Sequence, residues 1–209
     1  MKKSSQPKMQ QNMLYIHGFN SSPLSTKAEQ TRQYFHENFP EVNFICPQLA
    51  TSPNEAILQL EQIIESAKGA IWYFIGSSLG GYFSSYLANK YQCPAVLINP
   101  AIKPFDLLKD YIGEQKNPYT HIVYQVTEQH RLDLKTIEQS APHFDDEQKN
   151  NYLVMVQTGD EVLDYQQAVE KYQHCRLIVE QGGDHSFIGF GEKLPIIADF
   201  FTAKTQCKA

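Results

Sequence analysis

Short apolar runs separated by longer stretches in which apolar residues recur every three or four positions set the rhythm of this chain. Met13-Leu14-Tyr15-Ile16, Val42-Asn43-Phe44-Ile45-Cys46, Ile71-Trp72-Tyr73-Phe74-Ile75, Pro94-Ala95-Val96-Leu97-Ile98, Tyr152-Leu153-Val154-Met155-Val156 and Arg176 to Glu180 each have the length of a strand. Most are apolar at nearly every position, which predicts strands covered on both faces. Helices are predicted between them. One runs from Thr26 towards Phe39, with Thr26 and Glu29 at capping-box spacing and Pro40 as its stop. A second opens at Pro53-Asn54, aligns Ile57, Leu60, Ile63, Ile64 and Ala67, and ends at Lys68-Gly69. Others carry Tyr82, Phe83, Tyr86 and Leu87 to about Lys90, run from Asp164 to about Tyr172, and place Leu194, Ile196, Ile197, Phe200 and Phe201 on a last amphipathic segment that tolerates Pro195 only in its first turn. Strand alternating with helix predicts a doubly wound α/β fold with a mainly parallel sheet, as one domain over residues 1–209. The pattern weakens from about 103 to 150, where a short helical piece (Phe105 to Tyr111) precedes a polar stretch with Tyr119, Tyr124 and Phe144. This segment is expected to form a small cap over the site.

The third strand ends on Gly76-Ser77-Ser78-Leu79-Gly80, a G-x-S-x-G motif that leads straight into a helical pattern. A strand that turns sharply into a helix strains the residue at the turn and needs neighbours without side chains, which Gly76 and Gly80 supply. The helix behind the serine would aim free N–H groups and its positive dipole end at a developing oxyanion. Ser78 is therefore the candidate nucleophile and the backbone N–H of Leu79 one candidate oxyanion donor. The second donor is expected in the loop after the first strand, at the N–H of Phe19, with Gly18 letting that loop approach the elbow. Asn20, Ser21 and Ser22 more readily hold the turn than bind substrate.

A serine hydroxyl needs a base, and the base needs a partner that fixes its tautomer. Asp160 follows a strand and Gly159; His185 follows the last strand in the Gly-rich run Gly182-Gly183-Asp184-His185. The order Ser78, Asp160, His185 is that of α/β-hydrolases. Asp164, with Gln167 three residues on, reads as a helix N-cap. Glu161 and Asp184 are expected to be solvated, and His17 to brace its loop. His36, His121, His130, His143 and His174 lack a Gly-flanked strand end and read as ordinary polar positions.

Composition removes several alternatives. A net charge of -5 over 209 residues, with Lys and Arg scattered, leaves no footprint for nucleic acid. No apolar run has the length of a membrane span, and the polar residues after Met1-Lys2-Lys3 do not make a signal peptide, so a cytoplasmic protein is expected. Cys46, Cys93, Cys175 and Cys207 are widely spaced. They suggest neither a metal site nor a disulfide framework, and the first three read as small buried thiols. There is no G-K-[ST] and no G-x-G-x-x-G after a strand to hold a nucleotide.

The segments Tyr15-Ile16-His17-Gly18-Phe19-Asn20-Ser21-Ser22-Pro23, Gly76-Ser77-Ser78-Leu79-Gly80-Gly81-Tyr82, Asn99-Pro100-Ala101, Asn117-Pro118-Tyr119, Gln157 to Tyr165 and Glu180 to Phe187 together resemble the YqiA-like family of small bacterial esterases. They span nearly the whole chain in family order. The resemblance implies an α/β-hydrolase fold lacking the early antiparallel strands of larger members, hydrolysis of a small acyl ester or thioester, and no cofactor. By position it makes Ser78 the nucleophile, Asp160 the acid and His185 the base. The match is loose from about Gln125 to Asn150. The alternative is a binding protein that uses the same scaffold without catalysis; neither acyl preference nor oligomeric state is readable here.

Overall fold

The computed structural model describes residues 9–140 and 148–204. The N-terminal leader up to residue 8, His143, Phe144 and Cys207 lie outside them. The main sheet has six strands: β1 (Gln11–Ile16), β2 (Val42–Ile45), β3 (Ile71–Ser78), β4 (Ala95–Pro100), β7 (Tyr152–Gln157) and β8 (Arg176–Glu180). Their spatial order is β2-β1-β3-β4-β7-β8 and every neighbouring pair is parallel. No early antiparallel strand joins this sheet among the described residues. From β1 the chain moves outward to β2, then returns to the other side of β1 as β3. That reversal opens a crevice at the carboxyl ends of β1 and β3, where ligands bind in open α/β sheets.

The apolar runs work because successive strand residues face opposite ways. Leu14, Ile16, Trp72, Phe74, Leu97, Val154 and Val156 enter one core, with Leu60 and Ile64 of α2 (Pro53–Ser66) and Phe83 and Leu87 of α3 (Leu79–Tyr91). Met13, Tyr15, Ile71, Ile75, Val96, Ile98 and Met155 enter the other, with Phe35 of α1 (Thr26–Asn38) and Ile197, Phe200 and Phe201 of α7 (Leu194–Thr202). Both faces of the sheet are buried, and the doubly wound arrangement follows from that two-sided burial. Pro53 and Pro195 each sit in the first turn of their helix, where a missing N–H costs no hydrogen bond.

Some local expectations change and one holds. Thr26 is helical rather than a cap; Ser25 precedes the helix without a side-chain cap bond, and Glu29 bonds Arg32 instead. In α6 (Tyr165–Lys171), Asp164 does cap, accepting the N–H of Gln166 at 3.0 Å. Cys46 and Cys175 are free and half-buried, and Cys93 is fully buried. The described part of the segment from 103 onward is more regular than its sequence suggests. It comprises α4 (Pro104–Leu107), a 3-10 turn, an antiparallel hairpin of β5 (Gly113–Lys116) and β6 (Val123–Val126), and α5 (Glu128–Ser140). Among its described side chains helix α5 buries Asp133, Leu134 and Ile137 and leaves Leu132 exposed, so its apolar period is faint. Polar ties hold it down: Tyr82 Oη donates to the Leu134 carbonyl and Arg131 Nε to the Phe105 carbonyl at 2.8 Å.

Candidate active site

Ser78 ends β3 with φ 55° and ψ -121°, a left-handed conformation that costs a residue with a Cβ about 1–3 kcal/mol. The β3–β4 register shifts at Ser77/Ser78, so the serine steps out of the sheet at its carboxyl edge. The turn is possible because α3 starts against bare backbone. A Cβ on Gly80 would lie 1.9 Å from the Ile16 carbonyl oxygen, and one on Gly76 would lie 2.1 Å from the Gly80 carbonyl oxygen. At Gly18 a Cβ would sit 3.2 Å from the Ser78 Cβ, tight rather than impossible. The two oxyanion candidates, Phe19 and Leu79, both border the same small cavity of about 80 Å³. Among the described residues neither N–H is used in a loop or cap bond to other backbone.

Asp160 and His185 come from different loops that are stitched together. Gly159 N–H donates to the Gly182 carbonyl at 2.8 Å and Gly182 N–H to Thr158 Oγ1 at 2.8 Å. In consequence His185 Nδ1 stands 2.9 Å from Asp160 Oδ2 and 3.0 Å from Oδ1, while its Nε2 stands 3.1 Å from Ser78 Oγ. The three residues found 82 and 25 positions apart in the chain thus form one hydrogen-bonded row. With Nδ1–H donating to the carboxylate, Nε2 is left as the acceptor facing the hydroxyl.

The Asp160 side chain is 1% exposed. Burial pushes its pKa up, but the hydrogen bond from His185 and the N–H groups of Leu163 and Val162 outweigh it and hold the carboxyl below its ordinary 3.8. The aspartate is therefore a fixed anion. Glu161 and Asp184 are not merely solvated as expected. Glu161 Oε2 accepts the backbone N–H of His185 at 3.0 Å, and Asp184 Oδ1 accepts the Ser186 hydroxyl at 2.5 Å.

His17 braces its loop. It is buried, its Nδ1–H donates to the Gly18 carbonyl at 3.0 Å, and its Nε2 accepts the Leu49 N–H at 3.2 Å, a pattern only the neutral ring can make. Desolvation pulls its pKa below 6.5 against the weaker pull of the Gly18 bond. Ser22 Oγ accepts the Leu24 N–H, the side chain of Asn117 donates to the Ser21 carbonyl, and Tyr124 Oη donates to Asn20 Oδ1 at 2.8 Å. Phe19 packs edge-on against Tyr111, centroids 5.2 Å apart. The β5–β6 hairpin is thus clamped onto the loop that carries Phe19. His36, His121 and His174 are exposed and His130 bonds Thr127, all outside the Asp160–His185–Ser78 row.

Two residues that sequence reasoning gave no role hold the His185 loop. Asn99, at φ 39° and 2% exposed, donates through Nδ2 to the carbonyls of Asp184 (3.0 Å) and His185 (3.3 Å) and accepts the Gln157 N–H (3.0 Å). Gln157 Oε1 accepts the N–H groups of Asp184 and Ile188, and its Nε2 donates to the Ile188 carbonyl. Their one signal is a polar residue closing an apolar strand.

A parallel, doubly wound sheet with a serine on a strained strand-to-helix turn defines the α/β-hydrolase fold. Solved structures share it. Est1E from Butyrivibrio proteoclasticus superposes with a TM-score of 0.70 at 15% identity, covering 95% of this chain and 90% of that one. Mouse alpha/beta hydrolase domain-containing protein 10 gives 0.64 at 13%, covering 96% and 92%, and an esterase from Pyrococcus furiosus gives 0.64 at 13%, covering 93% and 81%. Within that fold, residues 12–202 match the uncharacterised protein family UPF0227, and the chain belongs to this YqiA-like family.

Proposed function

We propose that this protein is a serine hydrolase that cleaves carboxylic ester or thioester bonds through an acyl-enzyme. The observation that carries the reading is the unbroken row from Asp160 through His185 to Ser78, with a correctly oriented imidazole between a buried anion and a hydroxyl. His185 Nε2 takes the Ser78 proton as Oγ attacks the acyl carbon. The carbonyl oxygen becomes an oxyanion that the N–H groups of Phe19 and Leu79 stabilise. The tetrahedral species collapses, breaking the bond to the leaving oxygen or sulfur, which receives the proton from His185. A water, deprotonated by the same nitrogen, attacks the acyl carbon, and the free acid departs as Ser78 regains its proton. Asp160 stays ionised and stabilises the imidazolium in both halves.

A fluorophosphonate tests this without knowledge of the substrate. Peptide mass should locate the adduct on Ser78, and His185→Ala should abolish it. With a turned-over ester, Ser78→Ala should lower turnover by ~10⁴ to 10⁶-fold. Folded protein that does not label at Ser78 would instead support a binding scaffold.

A further inference from the structure

Two cavities meet at the elbow and differ in what lines them. The larger, about 620 Å³, is bordered by Ser78, His185 and Lys27; the smaller, about 80 Å³, is bordered by Leu79, Leu49 and Phe83, and His185 is not among its described walls. The difference assigns substrate ends. The atom that leaves must take its proton from His185, so the leaving group lies on the His185 side. The acyl chain then extends into the smaller cavity, whose walls mix Leu49, Leu79 and Phe83 with polar residues such as Asn20 and Thr120.

Lys27 is the one Lys or Arg among the described residues that line the larger cavity. Its Nζ donates to the Ser186 carbonyl at 2.8 Å, and an ammonium has three N–H bonds, so two are left over. None of the described carboxylates forms an ion pair with it. The acids nearest in charge, Asp184 and Asp160, are occupied by the Ser186 hydroxyl and by His185, and Glu161, also in the wall, holds the His185 N–H. Burial pulls the ammonium below its ordinary range, and the attraction of Asp184 and Asp160 only partly offsets this. A half-buried cation with spare donors, in the wall of the same cavity as Ser78 and His185, suits an anion supplied by the substrate.

We propose that the larger cavity binds the leaving alcohol or thiol and that this leaving group carries a carboxylate or phosphate that pairs with Lys27. The proposal rests on the catalytic reading of Ser78 and His185 given above.

The test is calorimetric titration of the protein with three para-substituted phenols: 4-hydroxybenzoate, 4-hydroxyphenyl phosphate and the neutral 4-hydroxybenzamide. At least one anion should bind about tenfold or more tightly than the amide. Whichever anion leads identifies carboxylate or phosphate as the group recognised. Lys27→Met and Lys27→Gln should bring the ratio of anion to amide affinity close to one, and Lys27→Arg should keep most of it. Anions that bind no better than the amide, or a preference that survives in a folded Lys27→Met or Lys27→Gln protein, overturn the proposal. Hydrolysis of the acetyl esters of the same phenols separates the two claims. Ester cleavage that persists in Ser78→Ala refutes the catalytic reading even where the Lys27-dependent preference stands, whereas Ser78-dependent cleavage with no preference refutes the leaving-group assignment alone.

Discussion

Asn99→Ala removes no group from the Asp160–His185–Ser78 row, yet it should damage both stability and turnover. The substitution leaves the Gln157 N–H at a buried strand end without its acceptor, at a cost of about 1–3 kcal/mol. It also takes a donor from the carbonyls of Asp184 and His185, at about 0.5–1.5 kcal/mol each. Alanine at φ 39° adds roughly 1 kcal/mol that asparagine tolerates better. These contributions share partners and will not add fully, so the expected loss is about 3–5 kcal/mol. Urea unfolding at 25 °C, with the slope unchanged, measures it. The freed carbonyls belong to the loop that presents the His185 ring, and a shift of about 1 Å there should cost about 10²-fold in turnover and slow fluorophosphonate labelling of Ser78. A loss below about 1 kcal/mol with normal labelling would refute the idea that this one side chain sets the His185 loop.

Gly80→Ala should be more severe still, because its Cβ would meet the Ile16 backbone at 1.9 Å and either β1 or the start of α3 must move. We expect a loss of more than about 3 kcal/mol in thermal or urea unfolding, the upper end of overpacking costs; a near-normal midpoint would show that the elbow has slack. The neutral form of His17 gives a pH-dependent contribution of defined sign. Its folded pKa lies below the ordinary 6.5, so the stability it gives is present above 6.5 and is lost as pH falls through the folded value, where a proton on Nε2 would oppose the Leu49 N–H. Unfolding midpoints from pH 7.5 to 5 should fall less steeply in His17→Asn than in the unaltered protein; parallel profiles would refute it. Turnover should also decline on the acid side, since a protonated imidazole cannot accept the Ser78 proton, and a flat acid limb would argue against His185 as base.

The six strands and the helices between them were legible because two-sided burial writes itself as unbroken apolar runs, and Ser78, Asp160 and His185 were legible because each sits where such a run stops beside glycine. Capping at Asp164 was legible for a similar local reason, though the spacing of Thr26 and Glu29 misled: Arg32, one turn away, engages Glu29 instead. The hairpin and α5 were not legible. Their burial is partial and their positions depend on bonds to distant backbone, such as Arg131 to Phe105 and Tyr124 to Asn20. Glu161 looked like a solvated acid because nothing in its neighbourhood in sequence reveals that the loops after β7 and β8 touch. The sequence alone thus determined where strands end and which side chains stand at those ends, since both depend on neighbours along the chain. Only the tertiary structure decided how those ends meet: the Asn99 and Gln157 bonds that seat the His185 loop, up to 86 positions apart, and the cavity that Lys27 shares with the serine join distant segments, which no local pattern encodes.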